Sequence, residues 1–91
     1  MTGPVRIRPS SRYLKSLQKI GKPLSTRAEK AVEKLQRTPD LPGLNFESYK
    51  GKPGHFTIRV ERNFRIVLRE EHDEVGLYYR LVDVDDHDNT Y

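Results

Sequence analysis

The chain has 91 residues, with 17 Lys and Arg against 13 Asp and Glu, and no cysteine. That length holds one small domain spanning residues 1–91, and an apolar share of 34% leaves a core near the lower limit for independent stability. Without cysteine there is neither a disulfide framework nor a thiolate zinc site, and the apolar runs are too short for a membrane-spanning helix.

Met1-Thr2-Gly3-Pro4 lacks the apolar core of a signal peptide, so a reducing, cytoplasmic location is expected. Val5-Arg6-Ile7-Arg8 alternates apolar and basic residues and reads as a short strand ended by Pro9. Ser10 or Ser11 can cap a helix that starts near Arg12, with Tyr13, Leu14, Leu17 and Ile20 on one face and Gly21 at its end. Pro23 and Ser25 or Thr26 open a second helix, whose stripe is Leu24, Ala28, Ala31, Val32 and Leu35 and which Thr38-Pro39 closes. After a loop through Asp40-Leu41-Pro42-Gly43 comes a short segment from Leu44 to Tyr49. Phe56, Ile58 and Val60 then alternate with polar residues, as do Phe64, Ile66 and Leu68, giving two half-buried strands. A last strand runs from about Gly76 to Val84. The order β-αα-β-β-β-β predicts an α+β fold, with an N-terminal strand and a two-helix hairpin packed on an antiparallel sheet.

The turn Glu61-Arg62-Asn63 allows two registers. A two-residue turn pairs Val60 with Arg65 and puts a charge on the apolar face. A three-residue turn, with Asn63 left-handed, pairs Val60 with Phe64, Arg59 with Arg65 and Ile58 with Ile66. The second keeps all six apolar residues together and is preferred, because a one-residue slip moves a whole apolar set to the wrong side. Arg59 and Arg65 then become neighbours on the face away from the helices. Like charges directly opposite destabilise a pair unless an anion binds there. The plainer alternative is two solvated arginines leaning toward acids such as Glu61 or Glu47.

Charge is unevenly spread. Residues 1–69 hold 16 basic and 5 acidic side chains, whereas residues 70–91 hold one basic and 8 acidic. The basic body suggests a polyanionic partner, nucleic acid or an acidic protein segment, against the plain reading of a solvated surface. Metal-free RNA cleavage needs a base, an acid and cations around the phosphorane, and histidine can serve as acid or base. His72 lies in Glu70-Glu71-His72-Asp73-Glu74, read as a solvated turn, and is set aside. His55 begins a strand near Thr57 and Arg59. His87 stands among Asp85, Asp86 and Asp88, whose charges favour its protonated form. A frayed tail is the alternative there; the aspartate spacing does not make an EF-hand loop, and no metal or cofactor is expected.

Taken together, Tyr13-Leu14-Lys15-Ser16-Leu17, Pro42-Gly43-Leu44, Glu47-Ser48-Tyr49-Lys50-Gly51, Ile58-Arg59-Val60, Phe64-Arg65-Ile66-Val67 and His87-Asp88-Asn89-Thr90-Tyr91 resemble the RelE/ParE superfamily of toxins from toxin–antitoxin pairs. The resemblance covers essentially the whole chain and lies closest to the RelE-, YoeB- and YafQ-like messenger RNA interferases. It implies a RelE-like, microbial-ribonuclease-like fold and a ribosome-dependent endoribonuclease that cuts messenger RNA in the A site. It further implies a cognate antitoxin, assembly with that antitoxin as a hetero-oligomer, and contact with ribosomal RNA. Carried over by position, Glu47 matches a general base, Arg59 and Arg65 match phosphate-contacting arginines, His87 a general acid and Tyr91 an aromatic that stacks or aids proton transfer. Lys50 and Lys52 match loop lysines that add positive potential, and His55 and Arg69 join them as candidate RNA-binding residues. A ParE-like inhibitor of DNA gyrase, sharing the fold without catalysis, is the alternative.

Overall fold

A computed structural model of the chain describes residues 5–38 and 44–86. In chain order these form β1 (Ile7–Pro9), α1 (Ser11–Lys19), α2 (Lys22–Arg37), β2 (Glu47–Ser48), β3 (His55–Glu61), β4 (Phe64–His72) and β5 (Leu77–Asp86). Among them no helix is long and apolar enough to cross a membrane.

The helix boundaries follow local chemistry. The Ser10 hydroxyl accepts from the Tyr13 backbone N–H at 3.1 Å and donates to the Val82 carbonyl at 3.0 Å. One residue therefore caps α1 and ties its start to β5. Gly21, at φ +84°, turns the chain where a side chain would be strained, and Pro23 sits in the first turn of α2 where its missing N–H costs nothing.

Both helices lie on one face of a five-stranded sheet ordered β1-β5-β4-β3-β2. Tyr13, Ala28, Ala31 and Leu35 meet Leu44, Ile58, Ile66, Leu68, Leu81 and Val84 in a single core. The two alanines keep α2 close to β3, and each fully buried aliphatic side chain contributes about 1.5–3 kcal/mol. Phe46, Phe56 and Tyr79 pack edge-to-face against this core, with ring centroids 5.2–5.7 Å apart.

The later strands pair antiparallel as expected, but β1 joins β5 in parallel, with Ile7 beside Tyr79 and Arg8 beside Arg80, so the sheet is mixed. The hairpin between β3 and β4 has the expected core pairs, Ile58 with Ile66 and Arg59 with Arg65. It reaches them differently. The turn has two residues, Arg62-Asn63, closed by Glu61 opposite Phe64, and a bulge at Val60 takes up the extra residue. Val60 therefore does not pair with Phe64. Asn63 is not left-handed either: among described residues other than glycine only Asn45 has positive φ. The bulge leaves Val60 packed against the core and lets Glu61 pair with Arg27 of α2. A second bulge, at Val82, turns both Leu81 and Val84 into the core although they are three residues apart.

Candidate functional site

The face of the sheet away from the helices carries the candidate residues in rows set by register. At one end Arg59 stands across from Arg65, and Asp85 lies across from Arg65 on its other side. The next row holds Glu47, Thr57 and Val67, about 7 Å further along the strands. The row after that crosses four strands: His55, Arg69, Arg80 and Arg8. Glu71 and Tyr78 follow.

Burial varies sharply within this face. Arg59 is exposed, whereas Arg65 is only 8% exposed and Thr57 is fully buried. A guanidinium held out of water beside a second one raises the local positive potential, and Asp85 offsets part of it. The pair is therefore one end of a charged row rather than two isolated like charges. Glu61, one of the two carboxylates expected beside the arginines, turns to α2 and Arg27 instead.

His55 is half-buried, and its Nδ1 lies 3.1 Å from the Pro53 carbonyl. A carbonyl only accepts, so Nδ1 is the donor in this contact. Lys50 and Lys52 are exposed on the turn between β2 and β3, with the Lys52 ammonium 5.4 Å from the Tyr49 ring centroid. A surface cavity of about 430 Å³ opens along this turn. Glu47 is exposed on the short edge strand β2 and shares the face with Arg59 and Arg65. His87 and Tyr91 lie outside the described residues. The last described residue, Asp86, is paired with Phe64, the neighbour of Arg65.

The acidic run after Arg69 is not a solvated turn. β4 continues through His72, so Glu71 keeps the alternation of Arg65, Val67 and Arg69 and falls on the same face. Its carboxylate accepts from the Tyr78 hydroxyl at 2.6 Å, Arg69 Nε at 2.6 Å and Arg80 Nε at 3.0 Å. These donors, Tyr78 foremost and then the two arginines, outweigh the effect of burial and lower its pKa from 4.5 to about 2. Asp73 accepts from Arg6 at 2.7 and 3.1 Å and from Arg8 at 2.7 Å, and caps its own turn through the N–H groups of Val75 and Gly76. The Arg6 hydrogen bonds above all hold its carboxyl well below the usual range. Arg6, Arg8 and Arg80 surround the Tyr78 ring at 4.5–5.7 Å from its centroid. Sequence reasoning missed this network. The signal was present in the period-two pattern running unbroken from Arg65 to Glu71 and through Tyr78 and Arg80.

The network divides the face. Arg69 and Arg80 share Glu71, and Arg6 and Arg8 share Asp73, so the cations at the β1 side are internally compensated. Arg59 and Arg65 lie at the other end of the face, with Glu47 one row away.

Neither a protein-family model nor a curated protein sequence matches the chain. Solved structures do. The YoeB/ParE toxin from Agrobacterium tumefaciens aligns with a TM-score of 0.70 at 15% identity, over 91% of this chain and 99% of that one. A chain of the DinJ–YafQ complex from E. coli gives 0.70 at 18%, over 93% and 96%. One from the RelBE2 toxin–antitoxin complex of Mycobacterium tuberculosis gives 0.70 at 18%, over 91% and 98%. The fold is thus that of the RelE and YoeB toxins, an α+β sheet with a helical hairpin on one face.

Proposed function

We propose that this chain is the toxin of a type II toxin–antitoxin pair and acts as an endoribonuclease on messenger RNA in the ribosomal A site. The observation that carries the reading is the pairing of Arg59 with Arg65 on the face away from the helices, in a sheet whose fold is shared with toxins of toxin–antitoxin pairs. Glu47 takes the proton of a 2′-hydroxyl, whose oxygen attacks the adjacent phosphorus. Arg59 and Arg65 hold the doubly charged phosphorane. His87 gives a proton to the departing 5′-oxygen, leaving a 2′,3′-cyclic phosphate on one fragment and a 5′-hydroxyl on the other. Tyr91 stacks on a base beside the cut. Lys50, Lys52, His55 and Arg69 hold the flanking strand, and none of these steps requires a metal. The ribosome supplies the orientation that so small a site lacks. The partner that silences the toxin is a cognate antitoxin, as in the complexes from E. coli and Mycobacterium tuberculosis.

The test is induced expression of the wild type, Arg65→Ala and His87→Ala in bacteria, with messenger 5′ ends mapped. The wild type arrests growth and produces in-frame cuts, and both variants lose the cuts. Arrest with intact messenger and an SOS response overturns the nuclease reading in favour of a gyrase inhibitor.

A further inference from the structure

Among the described residues β2 pairs with β3 at Phe56 and Thr57, and the Tyr49 N–H continues the contact to the His55 carbonyl. Arg59, two residues further along β3 than Thr57, also lines a cavity of about 210 Å³ on the helix side, between α2 and β3. The other cations of the cavity are Arg27, Lys30 and Lys34 of α2, and its floor is Ala31, Leu44 and Val60. Among the described residues no carboxylate lines it.

Residues 27, 30 and 34 follow the three- and four-residue spacing that puts side chains on one stripe of a helix. Like charges at that spacing cost a few tenths of a kcal/mol per pair in an isolated helix. Arg27 is relieved by Glu61. Lys30 and Lys34 are exposed and form no ion pair with any described residue. The two lysines are about 6 Å apart along the helix axis. The result is a cationic groove with an apolar floor, joined through Arg59 to the candidate cleavage face. Phosphate oxygens suit its rim, and a base or ribose face suits its floor.

We propose that this α2–β3 groove binds the phosphodiester backbone of the same RNA strand where it leaves the Arg59 site and crosses the sheet edge. The inference rests on the RNA-cleaving reading and adds a second segment of contact on the opposite side of the sheet. RNA is favoured over an acidic peptide because Arg59 belongs to both places, so a strand held at the one is already at the mouth of the other.

The experiment measures binding of fluorescein-labelled oligouridine to the full chain by anisotropy, between 50 and 200 mM salt. It compares the wild type, Lys30→Gln/Lys34→Gln, and Lys15→Gln/Lys19→Gln as a control of equal charge on α1, where the two lysines line a different cavity with Asp83 and Asp85. Losing two phosphate contacts to a single strand should flatten the slope of log K against log salt by about 1.4. The α2 double variant should show that change, the α1 control much less, and Lys30→Arg/Lys34→Arg should bind as the wild type does. Equal slopes for the two glutamine variants, or no wild-type binding at 50 mM salt, overturn the proposal. So does a variant that keeps the slope and instead loses an acidic antitoxin peptide. Cleavage is scored separately, by mapped messenger 5′ ends in cells expressing the same variants: lysine-dependent binding without messenger cuts refutes the nuclease reading alone, and cuts that do not depend on the lysines, with equal slopes, refute the groove alone.

Discussion

Replacing Tyr78 by Phe removes one oxygen from the sheet face and leaves the ring that Arg6, Arg8 and Arg80 surround. The lost hydroxyl donates to Glu71 at 2.6 Å and accepts from Arg80 Nη2 at 3.2 Å, and Tyr78 is 5% exposed. A hydrogen bond to a charged group contributes about 1.5–3 kcal/mol. Glu71 keeps Arg69 and Arg80 and some contact with water, so the expected loss at pH 7 is about 1–2 kcal/mol, or about 4–16 °C in melting temperature for a domain of this size. The pH dependence follows from the same bond. Glu71 has its folded pKa depressed from 4.5 to about 2, with Tyr78 the foremost cause. A depressed carboxyl stabilises the fold above its unfolded pKa and loses that contribution as pH falls through the folded one. The deficit of Tyr78→Phe should therefore be full at pH 7 and shrink between about pH 4.5 and 2. Urea denaturation of both proteins across that range measures it. A deficit that is constant or grows on acidification, or none at pH 7, would refute the account of Glu71 as the charge that holds this face together.

The two paired arginines should separate in stability. Arg59→Ala leaves the melting temperature unchanged or raises it slightly by relieving like-charge repulsion, whereas Arg65→Ala, which empties a site only 8% exposed, should cost about 1–3 kcal/mol by chemical denaturation. Asp73→Asn should weaken the clamp between β1 and the β4–β5 turn; faster hydrogen exchange at the Tyr79 amide, which donates to the Arg6 carbonyl, with little change at Ile66, would report it.

How far the candidate site could be read in advance depended on which forces set each part. Arg59 and Arg65 were placed opposite each other because Ile58 and Ile66 had to face the helices together, and burial of an apolar set tolerates no slip. The device that achieves it was not legible. A bulge at Val60 and a left-handed Asn63 satisfy the same apolar pattern, and the choice between them accompanies a contact from another element, Arg27 of α2 with Glu61. The removal of both arginines, which repulsion alone would make harmless, is expected to carry a cost because Arg65 is buried on both flanks of its strand pairings.

Alternation and capping residues, which act over a few positions, were sufficient to define the helical hairpin, the later strands and the sidedness of Arg59 and Arg65. The parallel docking of β1 was decided only in three dimensions, as were the clustering of Arg6, Arg8, Arg69 and Arg80 on two carboxylates and the joining of Arg59 to the α2 lysines. Those features bring together residues as many as 72 positions apart, such as Arg8 and Arg80. Attraction between charges depends on distance in space, which the order of residues along a chain does not specify until the sheet has closed.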